Sequence, residues 1–101
     1  MSSHTHFPKA LKYWYKGKLY DWPEAHIHPM AHALHYGSCV FEGIRAYPTA
    51  KGPAIFRLSE HVDRFLHSAS FARMPVPYSK EEIIDIIKLV VRENKLESAY
   101  I

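Results

Sequence analysis

The chain is short of the features that would make its chemistry obvious, and each shortage excludes a class. It has one cysteine in 101 residues. Cys39 cannot close an internal disulfide, so a disulfide-stapled secreted scaffold is excluded and a reducing, cytoplasmic setting is expected. The four glycines are scattered, so no glycine-rich phosphate loop can be assembled from neighbouring residues. Apolar runs are only a few residues long, far below what a membrane-spanning helix needs. The polar, histidine-bearing start lacks the apolar stretch of a secretory signal. An excess of charge of one sign is also missing: 13 Lys and Arg against 10 Asp and Glu leave +3. That charge is spread along the chain and does not interleave with rings, so no nucleic-acid partner is expected. There is no elbow-borne serine with His and Asp, and no evident pair of cleft carboxylates. Of the eight lysines, Lys80, Lys88 and Lys95 fall on a helix's polar side or ends and the others in the leader or turns. None reads as a desolvated, reactive amine.

What is present is globular. Hydrophobic residues make up 48% and charged residues 23%, and the length allows one small domain with a modest core. The centre of interest is His32-Ala33-Leu34-His35-Tyr36-Gly37-Ser38-Cys39-Val40-Phe41-Glu42-Gly43-Ile44-Arg45-Ala46-Tyr47. Its second half alternates like a strand, with Val40, Glu42, Ile44 and Ala46 on one face and Phe41, Gly43, Arg45 and Tyr47 on the other. The second face sets a guanidinium between two rings and a glycine where no side chain intrudes. A strand could leave room in this way for an anionic ligand with an apolar portion. The plainer reading of the same pattern is an edge strand with a snorkelling arginine and a bulge at Gly43.

The remaining elements follow in order. Residues 1–10 read as a flexible leader. Lys12-Tyr13-Trp14-Tyr15 and Lys18-Leu19-Tyr20 around Lys16-Gly17 predict a hairpin, closed by 21–24. His26, His28, His32 and His35 raise the thought of zinc. They come without a cysteine pair or a carboxylate at ligand spacing, so no metal site is expected. Residues 48–53 predict a turn and 54–58 a second strand, antiparallel to 41–47, with Ser59 capping the next helix. Val62, Phe65, Leu66, Ala69 and Ala72 predict that helix over 60–73, stopped by Met74-Pro75-Val76-Pro77. Arg64 lies off its apolar stripe, close in angle to His61, and by spacing alone faces water. Ser79-Lys80-Glu81-Glu82 is a capping box opening a helix to Asn94. The apolar surface of that helix is wide enough to be covered from more than one side, by a partner domain or subunit. Ala99-Tyr100-Ile101 begins another strand. The expected fold class is α+β, a small domain with a mainly antiparallel sheet flanked by two helices.

The words Tyr36-Gly37-Ser38-Cys39-Val40-Phe41-Glu42-Gly43-Ile44-Arg45-Ala46-Tyr47, then Ile55-Phe56-Arg57-Leu58, Glu60-His61, Arg64 and Ala99-Tyr100-Ile101, are similar to the N-terminal domain of branched-chain amino acid aminotransferases. The resemblance runs from about Trp14 to Ile101. It implies a fold type IV enzyme that holds pyridoxal 5′-phosphate between a small and a larger domain and works as a homodimer or a higher assembly of dimers. The implied reaction moves an amino group between leucine, isoleucine or valine and 2-oxoglutarate. The resemblance also implies roles: Arg64 holds the cofactor phosphate, Phe41 walls the aliphatic pocket, and Gly43 leaves space for substrate. Arg45 and Tyr100 handle carboxylates, and Tyr36 serves the neighbouring subunit's pocket. The catalytic lysine, the acid facing the pyridine nitrogen and a further carboxylate-binding arginine are expected in a C-terminal domain beyond residues 11–101, so these residues alone are expected to be inactive. The competing expectation is a stand-alone, non-catalytic binding or dimerisation module.

Overall fold

The computed structural model describes residues 10–101; apart from Ala10, the expected leader lies outside them. The elements are β1 (Lys12–Tyr15), β2 (Lys18–Asp21), a 3₁₀ turn (Trp22–Glu24), α1 (His32–Tyr36), β3 (Arg45–Thr49), β4 (Gly52–Ile55), α2 (Leu58–Phe71), α3 (Lys80–Glu93) and β5 (Ala99–Tyr100). The fold is α+β, as expected. Its strands form two antiparallel sheets: the hairpin β1–β2, and a three-stranded sheet in the order β4–β3–β5.

The hairpin turns on Lys16 (φ 48°) and Gly17 (φ 97°), two successive positive φ values whose twist matches that of the flanking strands. Tyr13 lies opposite Tyr20 and their rings stack at 5.5 Å. The hairpin is tied to the far end of α3 by Asn94, which is only 5% exposed. Asn94 Oδ1 accepts from the backbone N–H of Leu11 (2.7 Å) and Lys12 (2.9 Å), while Nδ2 donates to the carbonyls of Lys12 (3.1 Å) and Val90 (2.8 Å). This amide therefore performs the backbone pairing that a neighbouring strand would otherwise supply.

The stretch 40–47 keeps its two faces but is a strand only from Arg45. The ladder ends where its partners end. Ile44 still exchanges both backbone bonds with Ile101 (3.1 and 2.7 Å), and the Arg45 carbonyl accepts from Phe56 N–H (2.8 Å). The turn predicted over 48–53 is shorter than expected, because β3 runs to Thr49 and β4 starts at Gly52. Pro48 lies opposite Pro53. Since Arg45 bonds toward β4, Pro48 falls on the alternate register, where neither proline owes its neighbour an N–H.

The predicted Ser59 cap is corrected. Helix α2 begins at Leu58, after Arg57 in the left-handed region (φ 52°, ψ 43°), with no side-chain cap. The reason is packing: Leu58 stands one turn before Val62 on the same stripe, and both join Ile44 in the buried core. Ile55, Leu66, Ile83, Ile84, Ile87 and Ile101 pack around that core. The capping box of α3 forms as predicted, with Ser79 Oγ accepting from Glu82 N–H (3.1 Å) and Glu82 Oε1 from Ser79 N–H (2.8 Å). Cavities of about 820 and 400 Å³ flank α3 on two sides. No helix among the described residues is long and apolar enough to cross a membrane.

Candidate functional site

Two groups of side chains stand on opposite faces of the stretch leading into β3. On the outer face Arg45 lies directly across from Tyr100 of β5, and its guanidinium sits 5.4 Å from the phenol ring centroid. The flanking pairs, Ile44 with Ile101 and Ala46 with Ala99, carry the ladder bonds. Arg45 and Tyr100 therefore form a non-hydrogen-bonded pair, the register that brings side chains closest. The ring leans over Gly43, where a Cβ would come within 2.7 Å of Tyr100 Oη and 3.2 Å of Cε1. Glycine at 43 lets the phenol lie against the backbone, so in this structure the space expected for substrate is filled by Tyr100. Phe41 (77% exposed) and Tyr47 (50%) continue this face into solvent.

On the inner face Glu42 is out of place among Val40, Ile44 and Ala46, and the structure shows what accommodates it. Its side chain is only 8% exposed. Arg64 of α2 binds it side-on, Nε to Oε2 and Nη2 to Oε1, each at 2.8 Å. His61 Nδ1, one turn earlier on α2, donates to Oε1 at 2.7 Å, because an ionised carboxylate can only accept. The Arg64 guanidinium, then the His61 ring, holds the Glu42 carboxyl far below its ordinary 4.5, at about 2, against the opposing effect of burial. Glu42 in turn pushes Arg64 upward. The Arg64 side chain remains 66% exposed.

Tyr36 stands apart from both groups. Tyr36 is 75% exposed, with its ring 4.6 Å from that of His32 and 6.2 Å from that of His35. The histidines here serve the local chain: His32 bonds Ser38, His35 Nε2 bonds the Pro29 carbonyl (2.7 Å), and His28 Nδ1 accepts from Met30 N–H (3.0 Å). Among the described residues no three His, Cys, Asp or Glu gather closely enough to hold a metal. Cys39 is exposed.

Of the residues singled out from sequence, Gly43, Arg45 and Tyr100 are thus brought together. Arg64 is anchored one residue before Gly43, on Glu42. Sequence reasoning assigned Glu42 and His61 no role. The signal for them is an acid on an otherwise apolar face, which requires a cationic partner, together with His61 and Arg64 spaced by three on the facing helix.

Residues 39–101 match the family model described as amino-transferase class IV. The chain belongs to that family. Over 88 residues it is 53% identical to the branched-chain-amino-acid aminotransferase of Pseudomonas aeruginosa, covering 87% of this chain and 29% of that protein. The crystal structure of the Escherichia coli branched-chain amino acid aminotransferase superposes with a TM-score of 0.88 at 47% identity, over 91% of this chain and 30% of the other. The T.th. enzyme of the same name gives 0.88 at 54%, over 91% and 31%. It has been solved complexed with N-(5′-phosphopyridoxyl)-L-glutamate and with 4-methylvaleric acid. This class IV chain therefore spans about 30% of the length of the aminotransferases it matches.

Proposed function

We propose that residues 11–101 form the small domain of a pyridoxal 5′-phosphate enzyme that transfers the amino group of leucine, isoleucine or valine to 2-oxoglutarate. The observation that carries this reading is the outer face at Gly43, where Arg45 lies on Tyr100 and the exposed ring of Phe41 occupies the same face of the stretch. Such a surface meets both demands of the reaction. Rings accept an aliphatic side chain, and a guanidinium and a phenol bind the second carboxylate of the dicarboxylic partner. The ligands of the T.th. relative, one bearing a glutamate and one an aliphatic acid, support the same division of labour.

The residues present also fit the cofactor's phosphate. Arg64 uses Nε and one side of Nη2 on Glu42, so its end-on edge, shared by Nη1 and Nη2, is left for a second planar or tetrahedral anion. When bound, pyridoxal 5′-phosphate supplies the electron sink for amino transfer. In this reading Arg64 grips its phosphate, Phe41 lines the aliphatic pocket, and Arg45 with Tyr100 orients carboxylates. Gly43 keeps the backbone bare beneath them, and Tyr36 reaches the pocket of a neighbouring subunit. The exposed Ile27 (72%), Met30 (72%) and Leu34 (61%), close together in the sequence, support a homodimer or higher assembly covering this region, since apolar side chains in water favour association. The unpaired Cys39 supports a cytoplasmic location.

The test is glutamate production by the complete gene product from 2-oxoglutarate with each of leucine, isoleucine and valine. Arg45→Ala is expected to lower kcat/KM for 2-oxoglutarate roughly 10- to 100-fold, the size of one lost charge-assisted contact, with a smaller effect for the branched-chain amino acids. Absence of transamination with all three would leave the non-catalytic module as the better reading.

A further inference from the structure

We propose that Glu42, anchored by His61, is a positioning residue that aims the end-on edge of the Arg64 guanidinium at a phosphate-monoester dianion. The proposal rests on the reading of Arg64 as the cofactor's phosphate anchor and adds to it what holds that anchor in place. A carboxylate sunk to 8% exposure in an apolar face carries a desolvation cost that an aliphatic side chain packed there would not, so stability alone does not account for its presence. What the carboxylate provides is direction. Oε1 accepts from His61 Nδ1 and Arg64 Nη2, and Oε2 accepts from Arg64 Nε.

A bidentate contact fixes the guanidinium plane as well as its position, and the His61 bond keeps the carboxylate itself from swinging. Both donors come from one face of α2, three residues apart, so the rigid helix sets the spacing. Two of the five guanidinium N–H groups are spent on Glu42 and three remain. The side chain is 66% exposed, so the unspent edge is open to an incoming anion. Pairing with Glu42 also cancels the charge of Arg64. That cost makes the two possible roles separable: if only net charge mattered, Glu42 would weaken phosphate binding, whereas if aim matters, Glu42 strengthens it.

The experiment measures dissociation constants of pyridoxal and of pyridoxal 5′-phosphate for the apo form of the complete gene product; the ratio of the pyridoxal constant to the pyridoxal 5′-phosphate constant reports the phosphate contact alone. Arg64→Ala is expected to reduce that ratio on the order of 100-fold, and Glu42→Gln about tenfold, because an amide cannot accept two parallel N–H groups. His61→Gln should reduce it less, in the same direction, and carries the test should Glu42→Gln not fold. An unchanged or larger ratio in Glu42→Gln, with the ratio collapsed in Arg64→Ala, overturns the positioning role and leaves the anchor intact. An unchanged ratio in Arg64→Ala overturns the anchor and this proposal with it.

Discussion

The two faces of residues 40–47 differ widely in exposure. The inner one is closed: Ile44 and Ala46 are 5% and 2% exposed, and the single polar side chain, Glu42, has three hydrogen bonds to α2. The outer one is open, with Phe41 at 77%, Tyr47 at 50% and, across the sheet, Tyr100 at 69%. Packing is sufficient to explain the apolar inner residues, with Glu42 the exception on that face. It explains none of the outer ones, because rings and a guanidinium standing in water contribute little to folding. The comparison teaches which face is left open to a ligand: the one that the domain does not need for its own stability.

The sharpest way to break that comparison is to truncate one residue on each side. Ile44→Ala should cost about 2–4 kcal/mol in urea unfolding, since Ile44 lies against Leu58 and Val62 and little can relax into the space. Phe41→Ala should stay within about 0.5 kcal/mol. A comparable loss at Phe41 would show that the outer face is structural after all. Next in size is Asn94→Ala, which removes three bonds between the hairpin and the end of α3 and a fourth within α3 itself. It is expected to cost about 2 kcal/mol by the same measurement, showing that enclosure rather than apolarity sets the cost.

Glu42 sharpens the comparison through pH. Its carboxyl titrates near 2 in the folded chain against an ordinary 4.5, so the contribution of Glu42 is complete above about 4.5 and is lost as pH falls toward 2. Stability of the parent should fall across that window, and in Glu42→Gln the same interval should be flatter. The smallest effect is expected for Lys80→Ala. Its partner Asp63 lies 2.9 Å away but is 60% exposed, and such surface pairs are worth no more than about 0.5 kcal/mol in thermal unfolding.

Local patterns are legible in the sequence where one short-range rule decides the structure. The Lys16-Gly17 turn, the Ser79 to Glu82 capping box and the apolar stripe of α2 each depend on neighbours within four residues. The alternation of 40–47 is legible for the same reason, although the strand itself starts at Arg45. Strand limits depend on distant partners, here Phe56 and Ile101. The start of α2 is not legible, because Leu58 is drawn into the helix by the core it joins, and capping propensity at Ser59 is too small to oppose that. In the candidate site, the sequence singles out Arg45, Gly43 and Tyr100 one by one, but nothing local states that the Tyr100 ring lies on Gly43. Glu42 and His61 escape a local reading because their importance lies in a contact across 19 residues.

The sequence by itself determined the turn, the cap, the helix faces and which side of 40–47 meets the core, because these follow from backbone sterics and periodicity within a few residues. Only the tertiary structure decided that Asn94 would stand in for a strand and that a buried carboxylate would hold Arg64 from behind. The physical reason is that a hydrogen bond between residues far apart in the chain leaves no periodic trace; its partners become visible only when packing has brought them within about 3 Å.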